Sequence, residues 1–220
     1  MTPRREVLPP AQQKLWPLLA PAAELGFVLY GGTAIALRLG HRTSLDFDFF
    51  SSRPLDPRAL AAALPFTHTA ATLQATPDTL TLLASGPGIA PDEVKVSFFA
   101  MPGFGRIGKP ERTADGVLQV ASPVDLLASK LKTILQRAEA KDYRDIAALL
   151  RAGNDLATGL GAARALFGPH FQPGEALKAL VYFADGDLSA LDAQDQLLLT
   201  RASSQVGDLP PMRVASPTVD

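Results

Sequence analysis

The 220 residues contain no cysteine, one tryptophan, three methionines and three histidines. Without cysteine there is no disulfide framework, no thiolate metal site and no thiol nucleophile. His41, His68 and His170 lack the spacing of a metal-ligand set, and no G-x-S-x-G occurs. No apolar run reaches the ~18–20 residues that a bilayer-spanning helix needs. The opening MTPRREVLPPAQQ lacks the apolar core of a signal peptide, so a cytoplasmic protein with no membrane partner is expected. An excess of one charge is missing too. Lys and Arg total 21 against 22 for Asp and Glu, and the net charge of -1 gives no general pull toward nucleic acid.

What is present is ordinary globular material, 47% apolar and 20% charged, enough for a substantial core. Within it one pattern stands out. Gly31-Gly32-Thr33 is followed after twelve residues by Asp46-Phe47-Asp48 inside an apolar run. Glycines permit unusual dihedrals and close backbone approach, and a helix N-terminus offers unpaired N–H groups to phosphate. In a strand, residues i and i+2 share a face, so Asp46 and Asp48 are expected on one side, Phe47 and Phe49 on the other. Two adjacent carboxylates repel unless a cation neutralises them. Divalent ions bridging a nucleotide's phosphates are one solution, and a solvated edge strand is the plainer alternative.

Periodicity divides the chain into an α/β core over 1–120, a helical part over 121–205 and a loose tail over 206–220. In the core, Ala11 to Leu25 reads as a helix carrying Pro17 and Pro21, and Phe27–Tyr30 as a buried strand. Ala34–Leu39 reads as a helix stopped by Gly40, Leu45–Phe50 as the carboxylate strand, and Asp56–Leu64 as a capped helix. Thr67–Leu73, Thr79–Ala84, Val94–Phe99 and Gly116–Val120 read as strands, and Gly103–Asp115 as a loop. Ser122-Pro123-Val124-Asp125 is a helix start. Helices then follow to about Leu199, with breaks at Gly153, Gly168–Pro173 and Gly186.

On the helix after Ser122, Lys130 and Arg137 are seven residues apart and fall inside the apolar arc. Inward cations require anions, either buried acids or nucleotide phosphates. Asp142 and Asp145 repeat the anomaly with opposite sign on the next helix. Asp142 can pair with those cations, act as a base, or help hold metal. Gly103-Phe104-Gly105-Arg106-Ile107-Gly108-Lys109-Pro110 nearly matches a P-loop, but Pro110 replaces the magnesium-reaching hydroxyl and no amphipathic helix follows.

Leu29-Tyr30-Gly31-Gly32-Thr33-Ala34, His41-Arg42-Thr43-Ser44, Asp46-Phe47-Asp48-Phe49-Phe50 and the later Asp125…Lys130…Arg137…Lys141-Asp142…Asp145 together resemble the AbiEii/AbiGii toxin family of nucleotidyltransferases, within the DNA polymerase β-like superfamily. The resemblance implies an α+β fold: a mixed sheet with flanking helices, followed by a helical C-terminal part. It implies transfer of a nucleotide from an NTP, with Mg2+ or Mn2+ as cofactor. Gly31, Gly32, Thr33, Arg42, Lys130 and Arg137 would meet the nucleotide, and Asp46 and Asp48 the metal. Lys130 and Asp142 would complete the catalytic set, with Lys141, Asp145 and Ser97 supporting. Family members act in toxin–antitoxin or phage-abortive systems and some modify tRNA, which suggests an RNA acceptor and a cognate antitoxin as partners. One departure matters. Ser97 stands where many relatives place a third metal-binding carboxylate, and serine brings no charge. A transferase acting on a small molecule or protein, and a non-catalytic nucleotide-binding module, are the competing readings.

Overall fold

A computed structural model describes residues 1–85 and 93–220. Its strands are β1 (Val28–Tyr30), β2 (Asp46–Ser51), β3 (Ala71–Ala75), β4 (Thr79–Ala84), β5 (Val94–Ala100), β6 (Glu111–Arg112) and β7 (Gln119–Val120). They form one mixed sheet in the order β3-β4-β5-β2-β1-β7-β6. β2 runs parallel to β5 and β1 parallel to β7, while the other pairings are antiparallel.

Strict alternation along β2 sorts the two faces. Phe47 and Phe49 are fully buried, in register with Val96 and Phe98 of β5, which face Leu82 and Leu80 of β4. The Phe49 and Phe98 rings stack with centroids 5.3 Å apart. Burying a ring of this size contributes about 2–3 kcal/mol. The opposite face carries the rows Asp46–Lys95–Leu83 and Asp48–Ser97–Thr81, with Tyr30 of β1 facing Asp48. The apolar rows therefore oblige Asp46 and Asp48 to share the other face.

The helices of the chain's first part are α1 (Pro10–Leu15), α2 (Ala20–Glu24), α3 (Gly31–Leu39) and α4 (Pro57–Ala63). Those of the second are α5 (Pro123–Thr133), α6 (Ala140–Arg151), α7 (Leu156–Phe167), α8 (Pro173–Val181) and α9 (Ala193–Ser204). Among the described residues no helix is long and apolar enough to cross a membrane. The chain forms two units. One comprises residues 1–105, 109–121 and 216–220, and includes the whole sheet; the other comprises 106–108 and 122–215.

Several local expectations are corrected. The helix expected over Ala11–Leu25 is broken into α1, a 3-10 turn at Trp16–Leu19 and α2, because Pro17 and Pro21 each open a new segment. The strand expected from Thr67 starts at Ala71, after a 3-10 turn led by Pro65. The expected loop at Gly103–Asp115 contains the short β6, and the strand expected over Gly116–Val120 contracts to β7. α3 begins at Gly31 rather than Ala34 and ends against Gly40, which adopts φ +68°. The turn between β4 and β5 lies largely outside the described residues. Residues 206–220 contain no helix, yet Val219 is buried and its N–H donates to Ser52 Oγ at 3.0 Å.

Candidate active site

The glycine corner and the carboxylates meet in the sheet unit. Gly31 takes φ +72°, a conformation that L side chains rarely adopt, and a Cβ there would lie 2.5 Å from Asp48 Oδ2. A Cβ on Gly32 would collide with the Arg42 guanidinium and reach 3.0 Å from Ser44 Oγ. Gly31 is thus required by its backbone conformation and by the carboxylate over it, whereas Gly32 lies under the flexible end of the Arg42 side chain. Tyr30 precedes α3 without giving it a side-chain cap, and the positive end of the helix dipole faces the Asp48 carboxylate that lies over Gly31. Thr33 is buried, and its hydroxyl donates to the Asp46 carbonyl, tying α3 to β2. That hydroxyl therefore orders the corner from within.

Asp46 and Asp48 lean toward different neighbours, as two like charges on one strand face should. Asp48 lies over Gly31, while Asp46 Oδ2 is 2.9 Å from Lys95 Nζ. Ser97 is buried, opposite Asp48 in register, and accepts a hydrogen bond from Thr81 Oγ1 at 3.3 Å. Among the described residues, no three or more His, Cys, Asp or Glu side chains are grouped so as to hold a metal. The donor set at β2 is two carboxylates. That suits one hard cation whose remaining ligands are phosphate oxygens and water, the arrangement magnesium favours.

The second set lies in the helical unit. Lys130 of α5 places Nζ 2.6 Å from Asp142 Oδ1 and 2.7 Å from Asp145 Oδ2, both on α6. Lys130 is 7% exposed and both carboxylates are at 0%. Arg137 Nε donates to Asp142 Oδ2 at 2.9 Å. α5 ends at Thr133, so Arg137 sits beyond the helix. The helical wheel does not unite the two cations; Asp142 does. Burial acts to raise the Asp142 pKa, but Lys130 and Arg137 outweigh it and hold the carboxyl below its ordinary 3.8. Lys141 pairs outward with Glu139 at 2.7 Å. Arg137 also lines a cleft of about 210 Å3 with Tyr143, Tyr182 and Asp185.

The helix cap before α5 disposes of the P-loop look-alike. Ile107 and Gly108 donate their N–H groups to the Asp125 carboxylate at 2.8 and 3.0 Å, and Ser122 Oγ donates to it at 2.6 Å. The amides that a P-loop would offer to phosphate are already bonded to an internal anion. Burial pushes the Asp125 carboxyl above its ordinary value against the pull of these donors.

The sequence-derived residues therefore fall into two sets. Gly31, Gly32, Thr33, Arg42, Asp46, Asp48 and Ser97 belong to the sheet unit; Lys130, Arg137, Lys141, Asp142 and Asp145 belong to the helical one. Sequence reasoning missed Lys95. Lys95 shares the parity of Ser97 on its strand, a signal that strand alternation could have supplied.

Comparisons with known proteins bear on these sets. A model of the family described as "Nucleotidyl transferase AbiEii toxin, Type IV TA system" matches residues 15–212. An uncharacterised protein of Aquifex aeolicus is 33% identical over 127 residues, which take in 57% of this chain and 58% of that protein. The matched region thus spans little more than half the length of this curated relative. Among solved structures, a candidate nucleotidyltransferase from H. pylori superposes with a TM-score of 0.59 at 15% identity, covering 88% of this chain and 92% of that one. MenT4, a nucleotidyltransferase toxin of Mycobacterium tuberculosis, gives 0.54 at 14% identity, covering 88% and 90%. Both structures share the fold.

Proposed function

The chain belongs to the AbiEii family of nucleotidyl transferase toxins, and on that premise we propose that it moves a nucleotide from an NTP to an acceptor hydroxyl with the help of Mg2+ or Mn2+. The observation that carries this reading is the N-terminus of α3, beginning at Gly31 with no side-chain cap from Tyr30, set directly beneath the Asp48 carboxylate. Anion-binding amides and a metal-binding acid side by side suit a chelated triphosphate.

In the proposed reaction the acceptor oxygen bonds to the α-phosphorus, the bond to the β-phosphate breaks, and pyrophosphate leaves with the electron pair. A divalent ion, when bound, withdraws charge from the phosphates and eases that departure. Asp46 and Asp48 would hold it. The Gly31 and Gly32 backbone and Arg42 bind phosphate, a role in which the Thr33 hydroxyl is replaced by the amides it helps to order. Lys130 and Arg137 supply positive charge, positioned by Asp142 and Asp145. Asp142 is fully buried with its two oxygens engaged by Lys130 and Arg137, so it holds those cations in place, and the hydroxyl proton passes to water.

The acceptor we propose is RNA, tRNA in particular, and the setting is the cytoplasm of a cell that carries a cognate antitoxin; kinship with a toxin family supports this. A second reading, a nucleotide-binding module without catalysis, draws on Ser97 and the absence of a third carboxylate among the described residues. The experiment that separates them incubates the protein with each labelled NTP, magnesium and total tRNA, followed by mass spectrometry of the RNA ends. Small-molecule and protein fractions serve as alternative acceptors. Asp46→Ala should abolish label transfer and pyrophosphate release while leaving the melting temperature within about 2 °C of wild type. Full activity in that variant would remove the proposal, and nucleotide binding without pyrophosphate release from any acceptor would favour the module.

A further inference from the structure

Asp46 already has a cation. Lys95 Nζ stands 2.9 Å from Asp46 Oδ2, with the two side chains 41% and 37% exposed, so both are open to a ligand. The pairing is imposed by register, because Asp46 faces Lys95 and Asp48 faces Ser97 across the parallel β2–β5 pair. Opposite Asp48 in register stands a buried serine engaged by Thr81 rather than a further carboxylate. A second dication needs anionic oxygen ligands. Here it would find a hydroxyl on one side and an ammonium on the other, and the ammonium repels it.

We infer that Lys95 takes the place of a second metal ion: the site binds one divalent cation per chain, and the Lys95 ammonium contributes the remaining positive charge toward the nucleotide's phosphates. The inference rests on the nucleotidyl-transfer reading and deepens it. It makes Lys95 do two opposed things. In the free protein the ammonium competes with metal for Asp46. Once a triphosphate is present, it attracts the anion. Removing it should therefore tighten binding of metal alone and weaken binding of nucleotide alone. A merely structural ion pair would free Asp46 for metal when removed but leave nucleotide affinity unchanged, so the nucleotide measurement is the one that discriminates.

The test counts protein-bound Mn2+ by electron paramagnetic resonance on the full chain, alone and saturated with a non-hydrolysable NTP analogue. Wild type should bind one Mn2+ per chain in both conditions. Lys95→Met should bind Mn2+ alone roughly two- to fivefold more tightly, and the metal-free analogue roughly two- to fivefold more weakly, the range expected for a partly exposed pair. Lys95→Arg, which keeps the charge, should return both affinities toward wild type. Two Mn2+ per wild-type chain, or an unchanged analogue affinity in Lys95→Met, would overturn the role of Lys95 and leave nucleotidyl transfer standing. If wild type binds neither Mn2+ nor the analogue, the transfer reading fails and this inference with it.

Discussion

Replacing Lys130 with methionine should unfold the helical unit's charge cluster from its centre. The side chain volume is nearly kept, so the perturbation is electrical. One ammonium serves two carboxylates, at 2.6 and 2.7 Å, and neither carboxylate reaches solvent. Removing one member of a buried ion pair costs about 3–5 kcal/mol, because the remaining charge stays desolvated. Arg137, still 2.9 Å from Asp142, offsets part of that loss on one side. For a chain of this size each kcal/mol moves the melting temperature by about 2–4 °C, which gives a fall of roughly 6–20 °C. Thermal unfolding of the full chain, followed by circular dichroism at neutral pH, measures it. The pH dependence gives a second check. In wild type the Asp142 pKa lies below 3.8, so its stabilising contribution is complete above that value and is lost as pH falls through the folded-state pKa. Without Lys130 the carboxyl's affinity for protons rises, and the deficit of the variant should shrink as the solution is acidified toward pH 4. Adding Asp145→Asn should recover part of the loss, and the double-mutant cycle then reads the coupling directly. A melting temperature within about 2 °C of wild type would refute the reasoning. So would a deficit independent of pH.

Three further outcomes follow from the same geometry. Gly31→Ala would place a methyl 2.5 Å from the Asp48 carboxylate at φ +72°; the backbone alone costs about 1–2 kcal/mol, and Mn2+ affinity measured by titration should fall as Asp48 is displaced. Asp125→Ala leaves the Ile107 and Gly108 amides without their acceptor, and should lower stability in urea by about 2–4 kcal/mol while speeding exchange of those two amide hydrogens. Asp142→Asn removes an acid with a depressed pKa. Wild type should therefore lose stability more steeply than the variant as pH drops below about 4, which acid titration at fixed temperature would show.

Much of this was legible because it was local. Gly31-Gly32-Thr33 and Asp46-x-Asp48 are short spacings, and the alternation of Phe47 and Phe49 with the acids assigns a face without any knowledge of neighbours. Ser122 and Asp125 marked the start of α5 because capping is a four-residue matter. What stayed hidden was non-local. Lys95 meets Asp46 only through a parallel pairing between segments 49 positions apart, and nothing within β5 names its partner. Lys130 and Arg137 were singled out by a helical period that stops at Thr133; their meeting point, Asp142, lies on another helix. Thr33 looked like a phosphate ligand because a hydroxyl after two glycines suits one. Its burial against the Asp46 carbonyl depends on how α3 returns onto β2. The breaks at Pro17 and Pro21 were visible as prolines, yet their positions within successive short turns were set by packing rather than by propensity.

The Asp125 bridge to Ile107 and Gly108 carries a lesson about recognition by letters. A tethered carboxylate competes for those two donors at an effective concentration that no dissolved anion in a cell matches. The stretch spelled most like an ATPase signature is thus closed by a carboxylate from α5. Pattern scans that rank candidate ATPases by spelling would lead a mutagenesis campaign to Lys109, an exposed residue that follows two amides already engaged by Asp125.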